Sequence, residues 1–148
     1  MHGWVAVFRL PVEIIAPCLA VLPSLLLLRA WSSLPEEIPV HFGISGRPDR
    51  WGRRWQAWII PCVALVIYAA FSQACGAWGW LLGRQSELPH GTEPLLLMRL
   101  PIDLLMTYVT WGTIRVARKE AEGLSLTLMW GLVLLTVAPA AAMPFLRH

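Results

Sequence analysis

The residues of this chain best suited to acid–base or metal chemistry lie close together in one polar segment. His41 and Asp49 are eight positions apart, and Glu36 and Glu37 precede them. Imidazole and carboxylate groups can bind metal ions and carry protons. A single histidine beside acids is more often a structural hydrogen-bonding partner, and no H-E-x-x-H, G-x-S-x-G or phosphate-loop motif is present. We therefore expect no metal, no cofactor and no enzymatic activity.

A second set of charges lies within apolar sequence and repeats at two places. Residues 9–15 (RLPVEII) match residues 99–105 (RLPIDLL) position for position in residue class. Each copy places an arginine four residues before an acid, so Arg99 and Asp103 share one helix face. They would form either a polar site inside a helix bundle or a pair that snorkels to the membrane interface. Proline followed by an acid also suits any helix start, so a true duplication stays open.

Composition places these residues in a membrane protein. Of 148 residues, 57% are hydrophobic and 14% are charged, and the mean hydropathy is +0.58. Soluble domains have about 45–50% apolar and about 25% charged residues. The apolar residues form blocks near the roughly 20 residues that span a bilayer, without the alternation of a β-barrel. We predict an all-α bundle of four transmembrane helices in a single domain over 1–148, at about 10–31, 55–82, 95–116 and 124–146.

Between the first two predicted helices, residues 34–55 form a Pro- and Gly-rich interfacial loop. Pro35 and Pro39 hold their preceding residues extended, so the first helix ends before this loop. Gly46 and Pro48 are typical of turns. Asp49 is predicted to cap a helical segment that carries Trp51 and Trp55 on one face. The expected result is a rigid loop held at the bilayer surface by tryptophans.

The loop sequence LPEEIPVHFGISGRPDRW, residues 34–51, carries a recognisable pattern. It resembles the N-terminal domain of unknown function in SdpI-like bacterial membrane proteins. The matching positions are Leu34, Pro35, Ile38, Pro39, His41, Phe42, Gly46, Pro48, Asp49 and Trp51. The resemblance covers about the first half of the chain and implies immunity to a secreted toxin peptide or a role in signalling, although those immunity proteins carry more helices.

Two signals disagree about which side of the membrane the loop faces. With four spans, eight of the twelve Lys and Arg residues fall on the loop side: Arg29, Arg47, Arg50, Arg53, Arg54, Arg115, Arg118 and Lys119. The positive-inside rule places this side in the cytoplasm. The family resemblance implies instead that the loop faces outward, and we favour the outward orientation.

We expect a multi-pass protein of the bacterial cytoplasmic membrane that binds or senses a peptide, a lipid or a partner membrane protein at the surface. The predicted binding residues are Pro35, Pro39, His41, Phe42, Gly46, Pro48, Asp49 and Trp51. The net charge of +3 favours anionic lipid head groups, and the loop is too short to form a nucleic-acid module. Small residues in the second and fourth helices are compatible with an oligomer. The alternative function is a small transporter or channel component whose polar path includes Arg99 and Asp103.

Overall fold

The chain is mostly helical, as predicted. The computed structural model describes residues 3–77, 83 and 93–146. In this part of the chain, the four long helices are α1 (Gly3–Ala30), α2 (Ile59–Ala74), α3 (Glu93–Ala117) and α4 (Leu126–Leu146). Short 3-10 turns follow α1 (Trp31–Ser33) and precede α2 (Arg54–Trp58).

Three stretches of the described chain are long and apolar enough to cross a membrane. They are Arg9–Ser33, Arg54–Ala74 and Leu95–Ala117, and α4 contributes a shorter apolar stretch, Leu126–Ala142. These lengths match a hydrocarbon core of about 30 Å. The prediction of a membrane protein is therefore supported, with three stretches of spanning length and a shorter fourth one.

The helix bounds differ from the predicted ones mainly at α1. This helix begins at Gly3, not near residue 10, and contains Pro11, Pro17 and Pro23. A proline removes one hydrogen bond to the preceding turn but does not stop an apolar segment from continuing as a helix in a membrane protein. The second helix, predicted over about 55–82, spans Ile59–Ala74, and the predicted end at residue 82 lies outside the described residues.

The predicted interfacial loop is instead an antiparallel β-hairpin, which corrects the all-α fold class. Strands β1 (Glu37–Phe42) and β2 (Pro48–Arg53) pair with Glu37 opposite Arg53 and Phe42 opposite Pro48. The prolines hold β1 extended, so its backbone groups need a partner, and β2 supplies one. Pro39 is tolerated within β1 because both strands of a two-stranded sheet are edge strands.

The hairpin also overturns the predicted helix cap at Asp49. Asp49 and Trp51 belong to β2, and Trp55 lies in the following 3-10 turn. The two tryptophans therefore do not share a helix face. Pairing with β1 satisfies the backbone of residues 48–53, which leaves a helix no advantage there.

Helix α3 is the centre of the packing, since it contacts α1, α2, α4 and β1. One buried apolar cluster joins the ends of α1 and α3 to the hairpin; its members are Leu27, Ala30, Leu34, Ile38, Ala57, Ile114 and Ala117. A second cluster, at the other end of the helices, contains Val12, Ala16, Cys75 and Leu96. The hairpin is thus fixed to the helices by a shared core.

Candidate functional site

The exposed surface of the hairpin brings His41 and Asp49 together. The irregular register of β1 and β2 near His41 places its Nδ1 2.6 Å from Asp49 Oδ1. The two side chains are 59% and 52% exposed, respectively. The pair therefore bridges the two strands in contact with solvent.

Other large side chains of the same hairpin are exposed. Ile44 is 87% exposed at the tip, and Trp51 is 50% exposed on β2. Arg50 and Arg53 are also exposed. We call the set His41, Ile44, Asp49, Arg50 and Trp51 the hairpin surface. It combines aromatic, apolar and charged groups, which are the types that dominate binding surfaces.

The remaining predicted site residues support the hairpin from within or beside it. Pro39 and Gly46 are buried, Phe42 and Pro48 are half-buried, and Pro35 is exposed before β1. Gly43 N–H donates to Arg47 O at 2.9 Å, and Gly46 N–H donates to Gly43 O at 2.8 Å. The motif thus divides into residues that form the turn and core and residues that face outward.

The tip of the hairpin is docked onto the loop between α3 and α4. Leu124 N–H donates to Gly46 O at 2.8 Å, and Gly46 has a φ of 75°. A side chain on Gly46 would meet the Leu124 carbonyl. Arg47 and Glu122 form an exposed ion pair at 3.6 Å across the same contact. This contact, which sequence analysis missed, holds the hairpin surface in a fixed orientation.

The hydrogen bonding of His41 is simple in the part of the chain that the structure describes. There, His41 has only Asp49 as a side-chain hydrogen-bond partner. No group of three or more His, Cys, Asp or Glu residues that could hold a metal ion occurs among the described residues. Glu36 and Glu37, considered above as further ligands, do not join the pair.

A second polar site lies between α1, α2 and α3. Arg99 donates from Nη1 to Glu13 Oε2 at 2.8 Å and from Nη2 to Ser72 Oγ at 3.1 Å. The side chains of Arg99 and Glu13 are only 1% and 6% exposed. The Arg99 guanidinium also lies over the Tyr68 ring, 5.2 Å from its centroid. One arginine therefore connects three helices.

Arg99 and Asp103 do not form the snorkelling pair considered from sequence. Both residues are 2% exposed, so they are buried among helices and do not reach toward the interface. Arg99 pairs with Glu13 instead, because α1 packs directly against α3 and brings the first RLPVEII copy beside the second. The repeat was the signal for this contact, since Arg9 and Glu13 occupy positions equivalent to Arg99 and Asp103.

Comparisons with known proteins find similarity to a domain family in the part of the chain that contains the hairpin. The family described as "Domain of unknown function (DUF1648)" matches residues 18–65, which include the second half of α1, the hairpin and the start of α2. An uncharacterized protein of Archaeoglobus fulgidus is 50% identical over 36 residues, covering 24% of this chain and 20% of that protein. No solved structure matches the chain. Neither of these two descriptions names an activity.

Proposed function

We propose that this chain is a non-enzymatic, multi-pass membrane protein with four spans. In this proposal it resides in the bacterial cytoplasmic membrane, and its hairpin surface binds a peptide segment of a partner at the membrane surface. Helix α4 is the fourth span, since its 21 residues are mostly apolar and many of its side chains are exposed. The resemblance of the hairpin motif to SdpI-like proteins is consistent with recognition of a peptide.

The observation that carries the proposal is the exposed His41–Asp49 pair on a hairpin that is fixed at both ends. Ile38 anchors the base of the hairpin in the helix core, and Gly46 docks its tip. A rigid surface loses little conformational entropy on binding. Exposed Trp51 and Arg50 supply the aromatic and cationic groups that concentrate binding energy.

Membrane lipid is a further partner on the same side of the bundle. Trp55 is 59% exposed next to the start of α2, and Arg53 is exposed beside it. Tryptophan favours the head-group region, and each arginine near an anionic surface contributes about 1 kcal/mol. In this proposal these two residues hold the hairpin against the bilayer, while His41 and Asp49 face the partner.

Site-specific photo-crosslinking in the native membrane tests peptide binding. A photoreactive amino acid replaces Ile44, and crosslinked products are separated into protein and lipid adducts. We expect a discrete protein adduct that is lost in His41→Ala and Asp49→Ala, while both variants insert at the wild-type level. Glu120→Ala is the matched control, because Glu120 is an exposed acid in the α3–α4 loop.

Two outcomes would contradict this proposal. Lipid adducts alone at Ile44 would assign the hairpin to membrane anchoring. A protein adduct that survives both alanine substitutions would place recognition outside the His41–Asp49 pair.

The burial of Glu13, Arg99 and Asp103 favours a second candidate function, a transporter or channel component. Polar groups inside a membrane bundle are costly and commonly belong to ion or substrate paths. The test is solute or ion flux in vesicles that contain the purified chain, compared with Arg99→Leu. Flux that is equal in both vesicle preparations, or absent from both, would exclude this candidate.

A further inference from the structure

The polar site between α1, α2 and α3 contains a buried carboxyl group with an unpartnered oxygen. Asp103 is 2% exposed, and its Oδ2 has no hydrogen-bond partner among the described residues. Asp103 makes no ion pair within that part of the chain. Arg99, one turn earlier on the same helix, directs its two terminal nitrogens to Glu13 and Ser72. These two nitrogens thus bind α1 and α2, while the buried Nε of Arg99 has no hydrogen-bond partner among the described residues.

Asp103 also lies well inside the apolar length of α3. It precedes the end of that helix by about four turns, or about 21 Å. Leu96 and Val12, close to the polar site on α3 and α1, are buried in an apolar cluster. An ionised carboxylate is costly in such surroundings without a partner, and it commonly takes up a proton instead. A neutral, protonated Asp103 is therefore expected while Arg99 binds Glu13 and Ser72.

The surrounding groups argue for a proton and against a metal ion. The other charged and titratable groups near this polar site come from three helices. They are Arg9 and Glu13 on α1, Tyr68 on α2, Cys75 at the end of α2, and Arg99 on α3. Helix α4 brings no titratable side chain, because Leu126–Leu146 contains none. No group of three or more His, Cys, Asp or Glu residues that could hold a metal ion occurs among the described residues. A proton needs only one carboxylate oxygen.

We propose that Asp103 is an intramembrane proton-binding site and that exchange of its proton controls the partner of Arg99. In the protonated state the Asp103 carboxyl is neutral, and Arg99 stays on Glu13 and Ser72. When the proton leaves to water, the Asp103 O–H bond breaks and its electron pair remains on the carboxylate. This carboxylate then competes with Glu13 for the guanidinium one turn away. Proton release thereby weakens the link between α3 and α1.

This inference goes beyond surface recognition and does not depend on it. The hairpin packs against the end of α3 near Ile114 and Ala117, whereas Asp103 lies toward the other end. Loss of partner binding in His41→Ala would leave the proton site unchanged. Conversely, a result showing that Asp103 binds no proton would not affect the proposal for the hairpin.

Infrared difference spectroscopy on the full chain in lipid nanodiscs tests the site directly. Spectra collected across a pH titration report the carbonyl stretch of a protonated carboxylic acid. We expect one such band at neutral pH that disappears on further titration to alkaline pH. Asp103→Asn should abolish the band, and Asp103→Glu should retain it at a shifted frequency, which separates loss of the proton from loss of the fold.

Exposed acids supply the matched controls. Glu122→Gln and Glu120→Gln should leave the neutral-pH band unchanged. A titration in which no band depends on residue 103 would overturn the proposal. A band that persists in Asp103→Asn but disappears in Glu13→Gln would also overturn it, by assigning the proton to Glu13.

Discussion

Arg99 on α3 donates a hydrogen bond from Nη1 to Glu13 Oε2 on α1 at 2.8 Å, with both side chains almost fully buried. This contact joins equivalent turns of the two sequence copies, RLPVEII and RLPIDLL. The repeated sequence therefore contributes to helix packing, because each copy supplies one charge to the same ion pair. Ser72 extends the connection to α2.

Removing one member of this pair is predicted to destabilise the bundle strongly. Arg99→Leu leaves Glu13 buried without its partner, and breaking a buried pair costs about 3–5 kcal/mol. The double substitution Arg99→Leu with Glu13→Leu should cost less than that single change, since no unpaired charge remains. Equilibrium unfolding in detergent micelles, followed by circular dichroism, measures both free energies.

The exposed pair Arg47–Glu122 is the matched control for that experiment. Its side chains are 75% and 91% exposed, so water already screens the charges. Arg47→Leu should change the free energy of unfolding by no more than about 1 kcal/mol. A double variant at Glu13 and Arg99 that is less stable than Arg99→Leu would contradict the assigned role of the buried pair.

Gly46→Ala is predicted to release the hairpin tip from the α3–α4 loop. Gly46 has a φ of 75°, where a side chain costs about 1–2 kcal/mol, and an added Cβ would also meet the Leu124 carbonyl. The Leu124 amide, which donates to Gly46 O, should then exchange its hydrogen faster. Trypsin should also cleave faster after Arg118 or Lys119.

Gly131→Ala provides the comparison for this loop experiment. Nothing lies within 4 Å of a Cβ placed on Gly131 in α4. Alanine should be tolerated there and favour the helix by about 0.5–1 kcal/mol. Equal exchange rates at Leu124 in Gly46→Ala and Gly131→Ala would show that the tip contact does not hold the loop.

Ile38→Ala is predicted to detach the base of the hairpin from the helices. Ile38 is fully buried between Leu34 and Ile114, and truncation of a buried isoleucine to alanine costs about 2–5 kcal/mol. Ile44→Ala is the control, because Ile44 is 87% exposed. Hydrogen exchange of the β1 amides should rise in Ile38→Ala only. Similar rates in the two variants would mean that the hairpin folds without the helix core.

The apolar segments were predictable because about 20 consecutive apolar residues leave few alternatives to a membrane helix. The β-hairpin was not predicted, although residues 43–47 (GISGR) between two extended stretches are typical of one. Asp49 followed by Trp51 and Trp55 also fits a capped helix, and only pairing with residues 37–42 decides between the two. That pairing depends on docking to Ile114 and Leu124, which are distant in sequence.

The contacts within the two candidate sites also depend on pairing and packing between elements. The closeness of His41 and Asp49 follows from strand register, which the helical interpretation of residues 49–55 could not supply. The burial of Arg99 and Asp103 depends on how α1 and α3 pack, and spacing along one helix does not fix it. The repeat of residues 9–15 and 99–105 contained that information, because equivalent turns of parallel helices can lie side by side.

Cysteine accessibility is predicted to place the hairpin and the α3–α4 loop together on the outer side of the membrane. The bond between Gly46 O and Leu124 N–H requires one side for both segments. Ile44→Cys and Lys119→Cys, in a chain whose cysteines at 18, 62 and 75 are replaced by alanine, should therefore react equally with an impermeant maleimide on intact cells. Gly83→Cys, an exposed position between α2 and α3, should react only after permeabilisation.

The reverse pattern would mean that the eight basic residues on the hairpin side determine a cytoplasmic location. Unequal labelling of positions 44 and 119 would contradict the docking of the hairpin itself.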